Sequence, residues 1–113
     1  MATIKINMYN PETDELEEKE FVFSKNGITA FQYQRDANRI SHNNSNPFDA
    51  MIELAVLYFP KVFGKEQFKI EGLDDKLKFS EVIEEYFIND PHALEELVNE
   101  MGLRLNPSYK KRM

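Results

Sequence analysis

The most constraining feature of this chain is a strongly apolar segment over residues 47–63, which reads PFDAMIELAVLYFPKVF. Only Asp49, Glu53 and Lys61 interrupt it with charge. Its apolar residues recur at helical spacing, and Asn46 followed by a proline is a favourable start for a helix. A helix that is apolar on nearly all sides must be buried in a core or against a partner. We therefore predict a central helix over this segment.

The N-terminal region has the alternating pattern of a β-hairpin. Thr3–Tyr9 alternates apolar and polar residues, and Lys19–Ser24 does so again, with its phenylalanines on one side. Between them, Glu12–Glu20 is dominated by carboxylates, which we interpret as a solvated hairpin tip. The arrangement predicts that the two alternating segments pair in an antiparallel hairpin.

Apolar periodicity and cap residues predict three further helices, over Ile28–Ile40, Glu81–Asn89 and Pro91–Met101. In the first of them, Phe31, Ala37 and Ile40 are expected to face inward, and Gly102 is expected to end the last. Gln67–Glu71 is a candidate short strand. The predicted fold class is therefore α+β, with an N-terminal antiparallel β-hairpin, and this candidate third strand, packed on about four helices.

The length of 113 residues fits one domain, which we place at residues 1–105. Residues 106–113 are polar, end in Lys110, Lys111 and Arg112, and are predicted to form a disordered basic tail. The chain has no cysteine, which fits a reducing compartment, and its first residues lack the apolar core of a signal peptide. The apolar run is too short to cross a bilayer. These features predict a cytoplasmic protein without a membrane partner.

No set of residues in the sequence is suited to catalysis, to metal binding or to cofactor binding. The two histidines, His42 and His92, lie far apart and have no flanking ligand pattern. The glycines form no phosphate-binding loop, and no nucleophile and base are paired. We therefore predict no enzymatic activity, no cofactor and no bound metal. An alternative is a small enzyme or sensor that uses His42 or His92, which would need a pocket joining one of them to a carboxylate.

The order of these features resembles the tail assembly chaperones of long-tailed phages and prophages of Gram-positive bacteria. The resemblance lies in the strand pair within Thr3–Ser24, the apolar segment 47–63, and the helix pair SEVIEEYFIND and PHALEELVNEM. It implies a protein that binds the tape measure protein and recruits tail tube subunits in the host cytoplasm. The resemblance covers the layout of most of the chain and includes no catalytic motif, so it assigns no functional residue.

A protein that binds a helical partner needs apolar surface beyond its own core stripe. The central helix carries such an excess, and we predict that Leu54, Leu57 and Tyr58 contact the partner, with the outer side of Pro91–Met101 as the alternative contact surface. The competing interpretation is that these residues form the second side of a fully buried helix. The net charge of −6 argues against nucleic acid as a partner. It leaves open a second function, an acidic inhibitor or nucleic-acid mimic that blocks a basic site.

Overall fold

The structure, a computed structural model, describes residues 2–107. It confirms the α+β architecture, because an antiparallel two-stranded hairpin precedes four α-helices within these residues. Most of the predicted disordered tail, residues 106–113, lies outside the described residues. The elements are β1 Ala2–Asn10, β2 Glu15–Phe23, α1 Ala30–Asn43, α2 Pro47–Val62, a 3₁₀ helix Lys65–Phe68, α3 Phe79–Tyr86 and α4 Pro91–Leu105.

The hairpin is longer than predicted because much of the carboxylate-rich segment belongs to β2. The turn is confined to the residues between the strands, where the Asp14 amide donates to the last carbonyl of β1 at 2.9 Å. The prediction of a solvated tip over Glu12–Glu20 is therefore wrong from the start of β2 onward. Across the ladder, the Lys5 ammonium lies 3.5 Å from the Glu20 carboxylate and 4.0 Å from that of Glu18. This cation offsets part of the repulsion along β2.

One face of the hairpin closes the core, and α4 contacts β1. Asp90 joins the two elements, because its carboxylate accepts the Tyr9 amide of β1 at 2.9 Å and the Ala93 amide of α4 at 3.2 Å. The same carboxylate is thus the N-cap of α4 and a clamp on the outer edge of β1. The buried residues of the hairpin are Ile4, Ile6, Met8, Phe21 and Phe23.

The candidate third strand at Gln67–Glu71 does not form. The chain turns at Gly64, whose φ is 86°, into the 3₁₀ helix, which carries Phe68 into the core. The side-chain amide of Gln67 then lies beside β2. Its oxygen accepts from the Val22 amide at 2.7 Å, and its nitrogen donates to the Val22 carbonyl at 2.9 Å. One side chain therefore makes the pair of bonds that a residue of a third strand would have made.

Replacing Gln67 with alanine is expected to lower the free energy of unfolding by about 1 kcal/mol and to accelerate hydrogen exchange of the Val22 amide. The reason is the loss of both hydrogen bonds to Val22 and of the bond that the Gln67 amide nitrogen donates to the Phe63 carbonyl. Urea denaturation and amide exchange measure the two effects. Glu66→Ala is the matched control, because the Glu66 carboxylate forms an ion pair with Lys69 at 2.7 Å that is exposed to solvent and should contribute little to the free energy of unfolding. Equal losses in the two variants would contradict the role of the Gln67 amide.

Helix α1 begins two residues later than predicted and turns a different aromatic residue inward. The Thr29 side chain caps it by accepting a backbone amide of the first turn at 3.1 Å. From this start, Tyr33, Ala37 and Ile40 share the inner face at i, i+4 and i+7. Phe31 lies about 200° around the helix from Tyr33, and its side chain is 77% exposed. The prediction that Phe31 faces the core is therefore wrong.

Aromatic rings fill the core between the hairpin, α2 and α3. The ring of Phe68 stacks on Phe59 at 5.1 Å and on Phe21 at 5.4 Å between centroids. Helix α2 supplies Phe59 and continues past Pro60 to Val62, so the proline in its last turn does not end it. Four further rings surround Phe68. Three of them pack edge-to-face against it and Phe87 packs at a tilted angle; the three are Phe63, Phe79 and Tyr86.

Candidate partner-binding groove

Helices α1, α2 and α4 contact one another pairwise and leave an open groove of about 860 Å³ between them. Each of the three helices contributes apolar side chains to its lining, and polar side chains border it. The size is in the range of sites that bind ligands or side chains of a partner. The apolar part includes Ala37, Ile40, Phe48, Met51, Leu54 and Leu103, and the polar part includes Gln34, Ser41, Glu95, Asn99 and Asn106.

The apolar lining is accessible to a partner. Phe48, at the start of α2, is 44% exposed, and Met51 and Leu54 one and two turns further along are half-buried. Leu103 on α4 is half-buried as well. Covering these side chains would remove apolar area from water at about 25 cal/mol per Å². The groove can therefore gain free energy by binding an apolar surface.

Gly102 lets α4 come close to α1 at one wall of the groove. A Cβ added at Gly102 would lie 2.9 Å from the hydroxyl oxygen of Tyr33, closer than real Cβ atoms approach other atoms. Helix α4 runs through Gly102 to Leu105, which is buried, and does not end at the glycine as predicted. Gly102 and Tyr33 both line the groove, so this close approach shapes it.

The structure separates the three residues that were predicted to contact a partner. Leu54 lines the groove. Leu57 is half-buried, packs against the core cluster and is not part of the groove lining. Tyr58 has no exposed surface. The prediction therefore has to be corrected for Tyr58, which cannot touch a partner from this position, and only Leu54 belongs to the groove.

Tyr58 instead anchors α2 to α1. Its hydroxyl donates to the Asp36 carboxylate at 2.6 Å, and its ring meets the Tyr33 ring edge-on at 5.2 Å between centroids. Asp36 also pairs with Arg39 at 3.3 Å on the same helix. Burial, followed by the hydrogen bond to Asp36, raises the pKa of Tyr58 well above its ordinary value. Burial raises the pKa of Tyr33 in the same way.

Sequence reasoning did not identify two of the groove residues. Phe48 is part of the predicted central helix, whose apolar character on nearly all sides does not show which side the core covers, and the structure places it in the first turn of α2 with 44% of its surface exposed. Leu103 was placed outside the last helix because Gly102 was expected to stop it. A glycine in a helix costs only about 1 kcal/mol relative to alanine, so packing can carry a helix through it. Because this cost is small, the sequence also allowed a helix that continues past Gly102 and includes Leu103.

The histidines do not form a site with a carboxylate in the described structure. His42 bonds through Nδ1 to the Asn38 carbonyl at 2.8 Å within α1, and His92 is exposed in the first turn of α4. Among residues 2–107, no group of three or more potential ligands is placed to hold a metal ion. None of the helices in the same part of the chain has the length and hydropathy needed to cross a membrane.

The groove offers shape and an apolar surface bordered by polar side chains. Its lining, within the described residues, includes the Glu95 carboxylate and no lysine or arginine. Such a surface can bind the apolar side of a helix and place one negative charge next to it. Comparison with protein-family models, with curated proteins and with solved structures finds no match to this chain.

Proposed function

We propose that this protein is a non-catalytic binding module whose groove between α1, α2 and α4 takes one side of an amphipathic helix. The observation that carries the proposal is the accessible apolar lining around Phe48 and Leu54. A helix presents apolar residues at i, i+3, i+4 and i+7, which is the spacing that helix-in-groove recognition uses. The occupant is therefore a helix with such a stripe.

The resemblance of the sequence to phage tail assembly chaperones suggests where this helix comes from. In that role the protein binds the tape measure protein in the host cytoplasm and recruits tail tube subunits. A long helical client exposes apolar stripes before assembly, and a small acidic protein that covers them would keep the client soluble. The groove supports this proposal because it offers apolar surface of the matching kind.

Phe48→Asp is expected to weaken binding of a tape-measure-like helix by at least about tenfold, because removing a phenylalanine contact loses about 1.5–3 kcal/mol of apolar burial. Phe31→Asp is the matched control. Phe31 and Phe48 both occupy the second position of a helix. A carboxylate at this position interacts favourably with the helix dipole, so neither change should unfold the protein. Phe31 is exposed but does not line the groove.

The experiment is co-expression with the product of the adjacent phage gene, followed by pull-down and calorimetry at low and high salt. The apolar mode predicts a complex that survives high salt, since screening weakens charge pairs more than apolar burial. A complex that both variants weaken equally would contradict the groove as the binding site. A complex that dissociates at high salt would support the second function, an acidic inhibitor of a basic site.

A further inference from the structure

We propose that the outer edge of β2 is a second binding surface, which accepts an extended basic segment of a partner protein as a third strand. This inference goes beyond the groove and does not depend on it. Three features carry it: the direction of the backbone groups on β2, the position of Gln67, and the concentration of negative charge on the hairpin. Addition of a strand to an open sheet edge is a general mode of peptide recognition.

The bonds of Val22 establish which backbone groups of β2 point away from β1. Both the amide and the carbonyl of Val22 bond to Gln67, so this residue faces outward. In an antiparallel pair, every second residue has the same direction. Leu16, Glu18 and Glu20 therefore present their backbone groups at the same edge. No hydrogen bond within residues 2–107 engages those outward groups.

Gln67 marks the place of the missing strand. Its amide makes two strand-like bonds at one end of β2, next to the stretch from Leu16 to Glu20 that stays open. A strand that docks along this stretch would thus continue a ladder that Gln67 begins. The opposite edge, on β1, has a similar clamp at Tyr9, whose amide donates to Asp90 at 2.9 Å. That edge also lies on the strand that α4 contacts.

The charge of the hairpin selects a basic occupant. Residues 2–23 contain six carboxylates and two lysines, so they carry −4 of the total net charge of −6. Four of these carboxylates lie on β2 itself, at Glu15, Glu17, Glu18 and Glu20. A second copy of β2 would place like charges opposite one another, which is unfavourable. A segment that alternates lysine or arginine with small or β-branched residues would pair with them.

The probe is a blocked seven-residue peptide of alternating lysine and valine, added to the full chain at low salt. Nuclear magnetic resonance then measures hydrogen exchange of the outward amides of Leu16, Glu18 and Glu20. We expect these amides to exchange at least about tenfold more slowly at a peptide concentration of ten times Kd. A peptide with the same charges but with every backbone amide methylated should give no such protection, because its methyl groups block strand pairing.

Glu18→Pro is expected to weaken peptide binding by about tenfold, and Asn7→Pro is the matched control. Asn7 and Glu18 are direct partners in the hairpin register, and each points its amide away from the other strand. Proline is tolerated at such edge positions because no ladder bond is lost. Circular dichroism checks that both variants fold. If Glu18→Pro unfolds, Glu18→Lys with Asn7→Lys as its control tests the same edge through charge.

Several results would overturn the proposal. These are no binding of the lysine–valine peptide, unchanged exchange at the three outward amides, equal binding by the methylated peptide, and equal weakening by the changes at Asn7 and Glu18. None of them bears on the groove, because the hairpin residues that carry this inference do not line it. Conversely, the Phe48→Asp variant should bind the lysine–valine peptide like the unaltered protein. The proposals for the two surfaces are therefore tested independently of each other.

Discussion

Replacing Phe68 with alanine should lower the free energy of unfolding by about 3–5 kcal/mol, because it leaves a cavity at the centre of the aromatic core. The Phe68 ring has no exposed surface and stacks on Phe59 and Phe21 at 5.1 and 5.4 Å. The expected loss is a large share of the 5–15 kcal/mol or so that stabilises a typical domain. The 3₁₀ helix that carries Phe68 would lose its main anchor, so the clamp of Gln67 on β2 should weaken as well.

Urea denaturation measures the effect, with Phe31→Ala as the matched control. Phe31 is a phenylalanine that is 77% exposed, so its truncation should change the free energy of unfolding by no more than about 0.5 kcal/mol. The contrast between the two variants isolates burial from residue type. A loss at Phe68 no larger than that at Phe31 would mean that the aromatic core is not packed as described.

The protein should lose stability steeply above pH 10, because three buried or partly buried tyrosines resist ionisation in the folded state. Burial raises the pKa values of Tyr33, Tyr58 and Tyr86, and for Tyr58 the hydrogen bond to Asp36 adds to this effect. In the unfolded chain these phenols ionise near a pKa of about 10. Above that pH the unfolded state binds fewer protons than the folded state, so the free energy of unfolding falls as pH rises.

The slope of this loss is about 1.4 kcal/mol per pH unit for each tyrosine that stays protonated in the folded protein. The stabilisation is fully present below the unfolded pKa and disappears as pH rises through the folded values. Urea denaturation at several pH values from about 8 to 12 measures this loss of stability. Absorbance of the phenolate gives a second signal. Tyr58→Phe should remove the contribution of one tyrosine to this slope. Phe31→Tyr, which adds an exposed phenol, should leave the slope unchanged, and a flat profile in the unaltered protein would contradict the prediction.

Local patterns were sufficient to predict the hairpin, the central helix and the last helix. Alternation over β1 reports which side chains face a core, and the pairs Asn46-Pro47 and Asp90-Pro91 mark the starts of α2 and α4. Both signals depend on neighbours in the chain, so they can be read without knowing the fold. The candidate site was less predictable. Only Leu54 of the three proposed contact residues lies in the groove, because periodicity does not show which side of an apolar helix other elements cover.

The sequence by itself determined the α+β architecture, the order of its elements and the buried face of the hairpin, because each follows from spacing along the chain. Tertiary structure decided the rest. Tyr33 replaces Phe31 in the core, and the contact of Tyr33 with Gly102 accompanies an α4 that runs on to a buried Leu105. The Gln67 amide takes the place of a third strand. These outcomes depend on which side chains from distant elements meet and fill space, and no local pattern encodes such encounters.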